Sequence, residues 1–219
     1  MAMVTPSADE RRAELVELYH HLRDEHDCPL KAGRRKLVFG AGSADADLMF
    51  VGEAPGARED ELGLPFVGPA GQLLDQLLGE IGLERKDVFI NNVLMCRPPG
   101  NRDPLPEEVE ECKPFLMKRI GLIEPKVICT LGNYATKLLT GSPRGITKVH
   151  GEPQEREVGG RAVTLYPLFH PAAALRSTSV LDLLRADIHR LPELIAAHEP
   201  EPGPEPEPAP DEEQLGLFG

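Results

Sequence analysis

Three cysteines could act together only if the chain brings distant segments into contact: Cys28 in "RDEHDCPLKA", and Cys96 and Cys112 with fifteen residues between them. A chain with four cysteines in all has no disulfide framework, and in a reducing compartment spaced thiols serve more often as metal ligands or catalytic groups. Cys129, inside the apolar run "KVICTLG", reads as a buried core residue instead. Three further segments combine small, polar and ring-bearing residues: "VGEAPGARED" (51–60), "INNVLMCRPP" (90–99) and "LFHPAAALR" (168–176). Gly52, Pro55 and Gly56 let a backbone turn sharply and approach a ligand closely. Asn92 offers both a donor and an acceptor, as needed to read the edge of a pyrimidine ring. His170 can donate to an oxygen that gains negative charge, and Phe66 in "GLPFVG" provides a flat stacking surface. Singly, each has an ordinary structural explanation in a turn, a cap or a packed ring. Their order along one chain is what carries weight.

The elements that must position these residues can be read from the hydrophobic period. Leu15, Leu18, Tyr19 and Leu22 recur at helical spacing within residues 7–24. "RKLVFG", "DLMFVGE", "DVFINNVLM", "PKVICTLG" and "RAVTLYPLFH" read as strands, the fourth apolar enough to be buried on both faces of a parallel sheet. Between them, "GPAGQLLDQLLGEIGL", "LPEEVEECKPFLMKRIGLI", "NYATKLLTG" and "TSVLDLLRADIHRLPELIAA" read as helices, with Pro106 suited to a first turn. The alternation predicts an α/β fold: one domain over residues 1–197 with a central, mostly parallel sheet flanked by helices, an α/β/α sandwich. In such folds ligands bind beyond the carboxyl ends of the strands, where all three chemical segments fall.

The 219 residues suffice for one ordinary core. No apolar run approaches the roughly 18 residues of a membrane span. The charged, helix-patterned start does not read as a signal peptide, so a cytoplasmic protein is expected; a monomer is expected as well. The formal charge of −12 argues against phosphate binding at face value. Seven of the acids, however, lie in "EPEPGPEPEPAPDEE" (199–213), leaving −5 for the rest, so a modest basic face remains compatible. Residues 198–213 are too poor in apolar side chains to fold and read as a disordered Pro/Glu tether.

The stretches "VFGAG", "LMFVGEAPGAREDELGLPFVGPAGQLLD", "INNVLMCRPPGNRDPLPEEVEEC" and "FHPAAALR" resemble the family 4 uracil-DNA glycosylases, the iron–sulfur branch of the uracil-DNA glycosylase superfamily, over roughly residues 25–195. The resemblance implies a base-excision repair enzyme that hydrolyses the N-glycosidic bond of deoxyuridine in DNA. It makes Gly52–Gly56 the first active-site motif, with Glu53 among the catalytic residues. Ala54 stands where other branches carry a water-activating Asp, and Gly56 where they carry a Tyr that excludes the methyl of thymine. It also places Glu59 near the attacked sugar carbon, Phe66 on the uracil face, Asn92 on its edge and His170 at its O2. Ala174, Leu175 and Arg176 would enter the minor groove of DNA. The basic loop with a His that covalent uracil-trapping relatives insert after the Asn-bearing strand does not occur here, so turnover is expected. A non-catalytic DNA-binding or damage-sensing protein of the same fold is the alternative, disfavoured by the intact Glu59, Phe66, Asn92 and His170. An iron–sulfur electron carrier would leave those motifs idle.

The resemblance further implies a 4Fe-4S cluster held by a C-x-x-C pair and two later cysteines. Cys28, Cys96 and Cys112 match three of those positions, while the first of the pair falls on Glu25. Glu25 is in register as a fourth ligand, and His26 is the softer alternative, since imidazole binds iron in Rieske centres. Three thiolates with one exchangeable iron, or loss of the cluster, are the other readings. A bound cluster would pin the N-terminal helix to the 96–112 loop and place Arg97 and Arg102 near phosphates. At the end of the tether, "QLGLF" resembles the peptide by which bacterial replication and repair proteins dock into the sliding clamp, with Leu215, Leu217 and Phe218 as anchors and Gln214 as the orienting amide.

Overall fold

The computed structural model describes residues 6–198, so the tether and Gln214, Leu215, Leu217 and Phe218 lie outside the described residues. Helix α1 (Ala8–His20) opens on a capping box in which Ser7 accepts from the Glu10 amide and Glu10 accepts from the Ser7 amide, satisfying end donors that the helix cannot. It then widens into a π-helical turn, His21–Glu25. Strand β1 (Ala41–Gly42) is followed by β2 (Leu48–Gly52), α2 (Ala57–Leu62), α3 (Pro69–Glu80) and β3 (Phe89–Asn92). Next come α4 (Pro106–Ile123), β4 (Val127–Leu131), α5 (Asn133–Thr140), β5 (Gln154–Val158) and β6 (Arg161–Leu168). Helices α6 (Pro171–Ala174), α7 (Thr178–Ile188) and α8 (Leu191–Ala196) complete the domain.

The six strands form one sheet in the order β1-β3-β2-β4-β6-β5. The inner strands β3, β2, β4 and β6 are parallel, and the two edges are antiparallel. Every residue of β2 and β4 is buried, as expected of strands covered on both faces. One apolar layer joins Leu15, Leu18 and Leu22 to Leu116, Ile120 and Ile128, and the other joins Leu74, Leu77 and Phe50 to Tyr166, Leu184 and Ile188. The α/β/α sandwich read from the sequence is therefore the observed fold. Among the described residues no helix is long and apolar enough to cross a membrane.

Three local readings are corrected. "RKLVFG" is extended but not a strand: Val38 donates one bond to the Met95 carbonyl, and pairing with β3 begins only at Ala41. Gly40 and Gly42 have φ of 141° and 128°, and the pairing that follows is limited to Ala41 with Ile90 and Gly42 with Phe89. The last helix is two, because Pro192 cannot donate within a continuous helix and its ring would crowd the carbonyl four residues back; it sits instead in the first turn of α8. The β5–β6 hairpin escaped the sequence reading, although Gly159-Gly160 marked it: both residues have positive φ, as a two-residue loop of type I′ requires.

Arg119 on α4 ties this scaffold together. It is fully buried, and its guanidinium donates to the carbonyls of Phe39, of Phe115 (3.2 Å) and of Asn92 (3.3 Å). No carboxylate among the described residues pairs with it, and burial pulls its pKa down to about 10. Arg119→Met keeps the apolar volume but strands buried carbonyls, so urea unfolding should show a loss of about 3 kcal/mol.

Candidate active site

A cavity of about 240 Å³ opens beyond the carboxyl ends of β2, β3 and β6, with the strand order reversing around β2. Glu53, Ala54, Pro55 and Gly56 line it from the turn after β2, Asn92 from the end of β3, and His170 from the turn after β6. Glu59 closes it from α2, Phe66 from the α2–α3 connection, and Pro98, Asn101 and Arg102 from the loop after β3. The parallel sheet thus gathers residues 118 positions apart, from Gly52 to His170, at one lip.

His170 is held by the backbone. It caps α6, and its Nδ1 accepts from the Ala172 amide at 3.1 Å. A nitrogen that accepts carries no hydrogen, so the neutral ring bears its hydrogen on Nε2 and is a donor there. Burial pushes the pKa of His170 down to about 4, against a smaller upward pull from Glu59, so the ring is neutral at physiological pH.

Phe66 stacks on His170, with ring centroids 5.6 Å apart and planes at 27°. Its φ is 51°, a costly conformation for a bulky residue. Arg85 holds it there by donating from Nη2 to the carbonyls of Pro65 and Phe66, both at 2.9 Å. The absence of side chains nearby is equally necessary. A Cβ on Gly71 would come within 1.7 Å of the Phe66 carbonyl oxygen, and one on Gly52 within 2.3 Å of Asn92 Oδ1 and 2.7 Å of the Phe66 ring.

The two glutamates differ. Glu59 Oε1 accepts from the amides of Val67 and Gly68, both at 2.9 Å, and so caps α3, whose own N-cap residue is a glycine. Its other oxygen lies on the Gly56 side. Glu53 is half-buried, and burial together with Asp103 raises its pKa. Arg102, expected to meet phosphates, is engaged otherwise: it makes a bidentate pair with buried Glu108, at 2.9 and 2.5 Å, which locks the loop after β3. Arg97 likewise donates to Asn101 at 2.6 Å. Ala174 is packed in the core, so its side chain does not reach the surface; Leu175, 51% exposed, and Arg176 do.

The cysteines converge in the other apolar layer. Cys28 and Cys96 have their Sγ atoms 3.8 Å apart, and Cys112 is buried in the same cluster from α4. Sharing a hydrogen with Cys96 lowers the Cys28 thiol to about 6 and raises that of Cys96. Arg34 reaches Cys96 Sγ at 3.6 Å, and burial pushes the Cys112 thiol up. Among the described residues no three His, Cys, Asp or Glu side chains are grouped tightly enough for a single metal ion. The donor set nevertheless fits a polynuclear anionic centre: three thiols from separate elements, the Arg34 guanidinium against one of them, and a buried His26 Nε2 without a hydrogen-bond partner. Glu25 does not join them. It is 76% exposed and accepts from His21 Nδ1 at 3.0 Å.

The sequence model of the Uracil DNA glycosylase superfamily matches residues 39–190 of this chain. The type-4 uracil-DNA glycosylase of Thermotoga maritima is 45% identical over 170 residues, covering 77% of this chain and 87% of that protein. Those of Sulfurisphaera tokodaii and Archaeoglobus fulgidus are 44% and 41% identical, over 76% and 85% of this chain and 78% and 96% of theirs. The chain belongs to the uracil-DNA glycosylase superfamily. Within it, the chain resembles the type-4 branch over most of its own length and of theirs. For a superfamily member, the residues that sequence reasoning missed are those that set its site rather than line it: Arg85, Gly71 and Arg119. Arg85 and Arg119 lie outside the stretches that resemble the family and Gly71 lies within one without being singled out; contact with the Phe66 and Asn92 carbonyls reveals all three.

Proposed function

We propose that this protein is a base-excision repair enzyme that hydrolyses the N-glycosidic bond of deoxyuridine in DNA, releasing uracil and leaving an abasic site. The observation that carries this reading is the meeting of His170, Asn92 and Phe66 around one cavity, in a chain 41–45% identical to proteins named type-4 uracil-DNA glycosylase. Nothing favours a non-catalytic role.

The target nucleotide leaves the stack at a cost of a few kcal/mol, less at a mismatch or in a single strand. Uracil then stacks on Phe66 and pairs its edge with the Asn92 amide. As the bond from sugar C1′ to uracil N1 breaks, its electron pair passes to uracil, and the Nε2–H of His170 donates to the oxygen that gains charge. The cationic sugar carbon is met by the carboxylates of Glu53 and Glu59. Water adds last, and its proton leaves through Glu53 or solvent. A neutral, preorganised His170 suits this order because it stabilises the leaving anion without being an acid in the ground state. Leu175 and Arg176, both exposed beside the site, are the residues placed to fill the vacated stack and hold a phosphate.

Cys28, Cys96 and Cys112 are the thiols that would hold a 4Fe-4S cluster. Bound there, the cluster would supply a cross-link between the segment after the π turn, the loop after β3 and α4, and hydrolysis needs no electron transfer from it. The protein acts on DNA as a cytoplasmic monomer in this reading, and residues 214–218 tether it to the sliding clamp. An oligonucleotide with one uracil, treated with enzyme and then alkali, should be cut at that position while the thymine control stays whole; an uncut uracil strand would refute the assignment. Deleting residues 214–219 should abolish capture by the clamp and leave excision from the same oligonucleotide unchanged. Retained capture would exclude the peptide.

A further inference from the structure

We propose that His26, through Nε2, is the fourth ligand of the cluster, in place of the cysteine that the family pattern puts at position 25. This assignment rests on the cluster reading under the proposed function and concerns how this chain completes the ligand set.

The backbone turns His26 inward and Glu25 outward. The widened turn His21–Glu25 ends where the His26 amide donates to the His21 carbonyl at 2.9 Å, and His26 itself is extended, with φ −67° and ψ 130°. A π turn adds one residue relative to a regular helix and rotates the residues C-terminal to it, a distortion found frequently at functional sites. Glu25 stays on the solvent side of that turn, bonded to His21. His26 is only 14% exposed and lies against α4, its ring edge-on to Phe115 at 4.7 Å between centroids. Phe115 and Cys112 are three residues apart on α4 and so share a face. The imidazole therefore sits on the helix side that carries one of the thiols.

Its Nε2 is buried and makes no hydrogen bond among the described residues. Glu111 Oε1 lies at 3.3 Å, within ion-pair range of a protonated ring but outside hydrogen-bond geometry, and the Glu111 side chain is 42% exposed, so it can turn to water. A buried imidazole nitrogen without a partner is costly, and coordination removes that cost. Imidazole is a normal iron ligand, whereas a solvated carboxylate would have to give up both water and His21 to reach the thiols.

The test uses the full chain, purified anaerobically and reconstituted with iron and sulfide, as wild type, H26A, H26C and E25A. Iron and acid-labile sulfide per chain, pulsed EPR of the reduced cluster and its midpoint potential are measured. Wild type and E25A should hold four irons and show a strongly coupled imidazole nitrogen. H26A should fall to three irons and give the oxidised three-iron signal. H26C should recover four irons, lose the nitrogen coupling and shift the potential downward, since imidazole in place of thiolate raises it. The H26C variant keeps the test decisive if H26A does not fold. Four irons with unchanged spectra in H26A, nitrogen coupling that persists in H26C, or iron loss confined to E25A would each overturn the assignment. Wild-type chain that takes up no iron at all would overturn the cluster reading and His26 with it, while leaving uracil release as a separate measurement.

Discussion

Replacing His170 with Ala is expected to lower the single-turnover rate of uracil release by about 10²–10³-fold, the usual cost of one preorganised donor to a developing anion. Binding of uracil-containing DNA should change far less, because the donor works mainly when charge has built up on the leaving base. A rate within about threefold of wild type would remove His170 from the chemistry. The same residue carries a pH signature. Its pKa in the folded protein is about 4, below the ordinary 6.5, so as pH falls the unfolded chain takes up the proton first. Its stabilising contribution is therefore complete above about pH 6.5 and is lost as pH falls from there towards 4. Urea unfolding of wild type should weaken across that window more steeply than that of H170A.

Gly52→Ala should be as damaging to catalysis, about 10²-fold or more in single-turnover rate, with the fold retained. The new Cβ would lie 2.3 Å from Asn92 Oδ1 and 2.7 Å from the Phe66 ring, so both groups that hold the base must move. Displacements near 1 Å in a positioning group commonly cost that much. The Phe66 ring cannot retreat cheaply, since its backbone is pinned by Arg85 and by close contact with Gly71. Gly56→Ala makes a contrasting control. Its Cβ would meet only Glu59 Oε2, at 2.7 Å, so it presses on the carboxylate that Val67 and Gly68 hold and leaves Asn92 and Phe66, the pair that grips the base, in place. A G52A enzyme as fast as wild type would show that Asn92 and Phe66 do not grip the substrate.

Much of this was legible in the chain itself. The alternation of period-2 and helical segments sufficed for an α/β sandwich, because apolar periodicity reports which faces are buried whatever the neighbours are. The burial of β4 was implied by its composition, and the turn residues after β2, β3 and β6 marked the lip where ligands bind. What the tertiary structure decided depends on contacts between segments far apart in the chain. The strand-like pattern of "RKLVFG" did not reveal that β3 would leave it almost unpaired, and Arg102 looked available until Glu108 was found across the loop. The choice between Glu25 and His26 was likewise open in the sequence, where the two are adjacent, because one rotated turn decides which of them meets α4 and which meets water. Residue type and spacing by themselves determined the fold class and the chemistry on offer. Which side chains are available for that chemistry was settled by three-dimensional packing, since hydrogen bonds and burial commit some candidates elsewhere and leave others at the site.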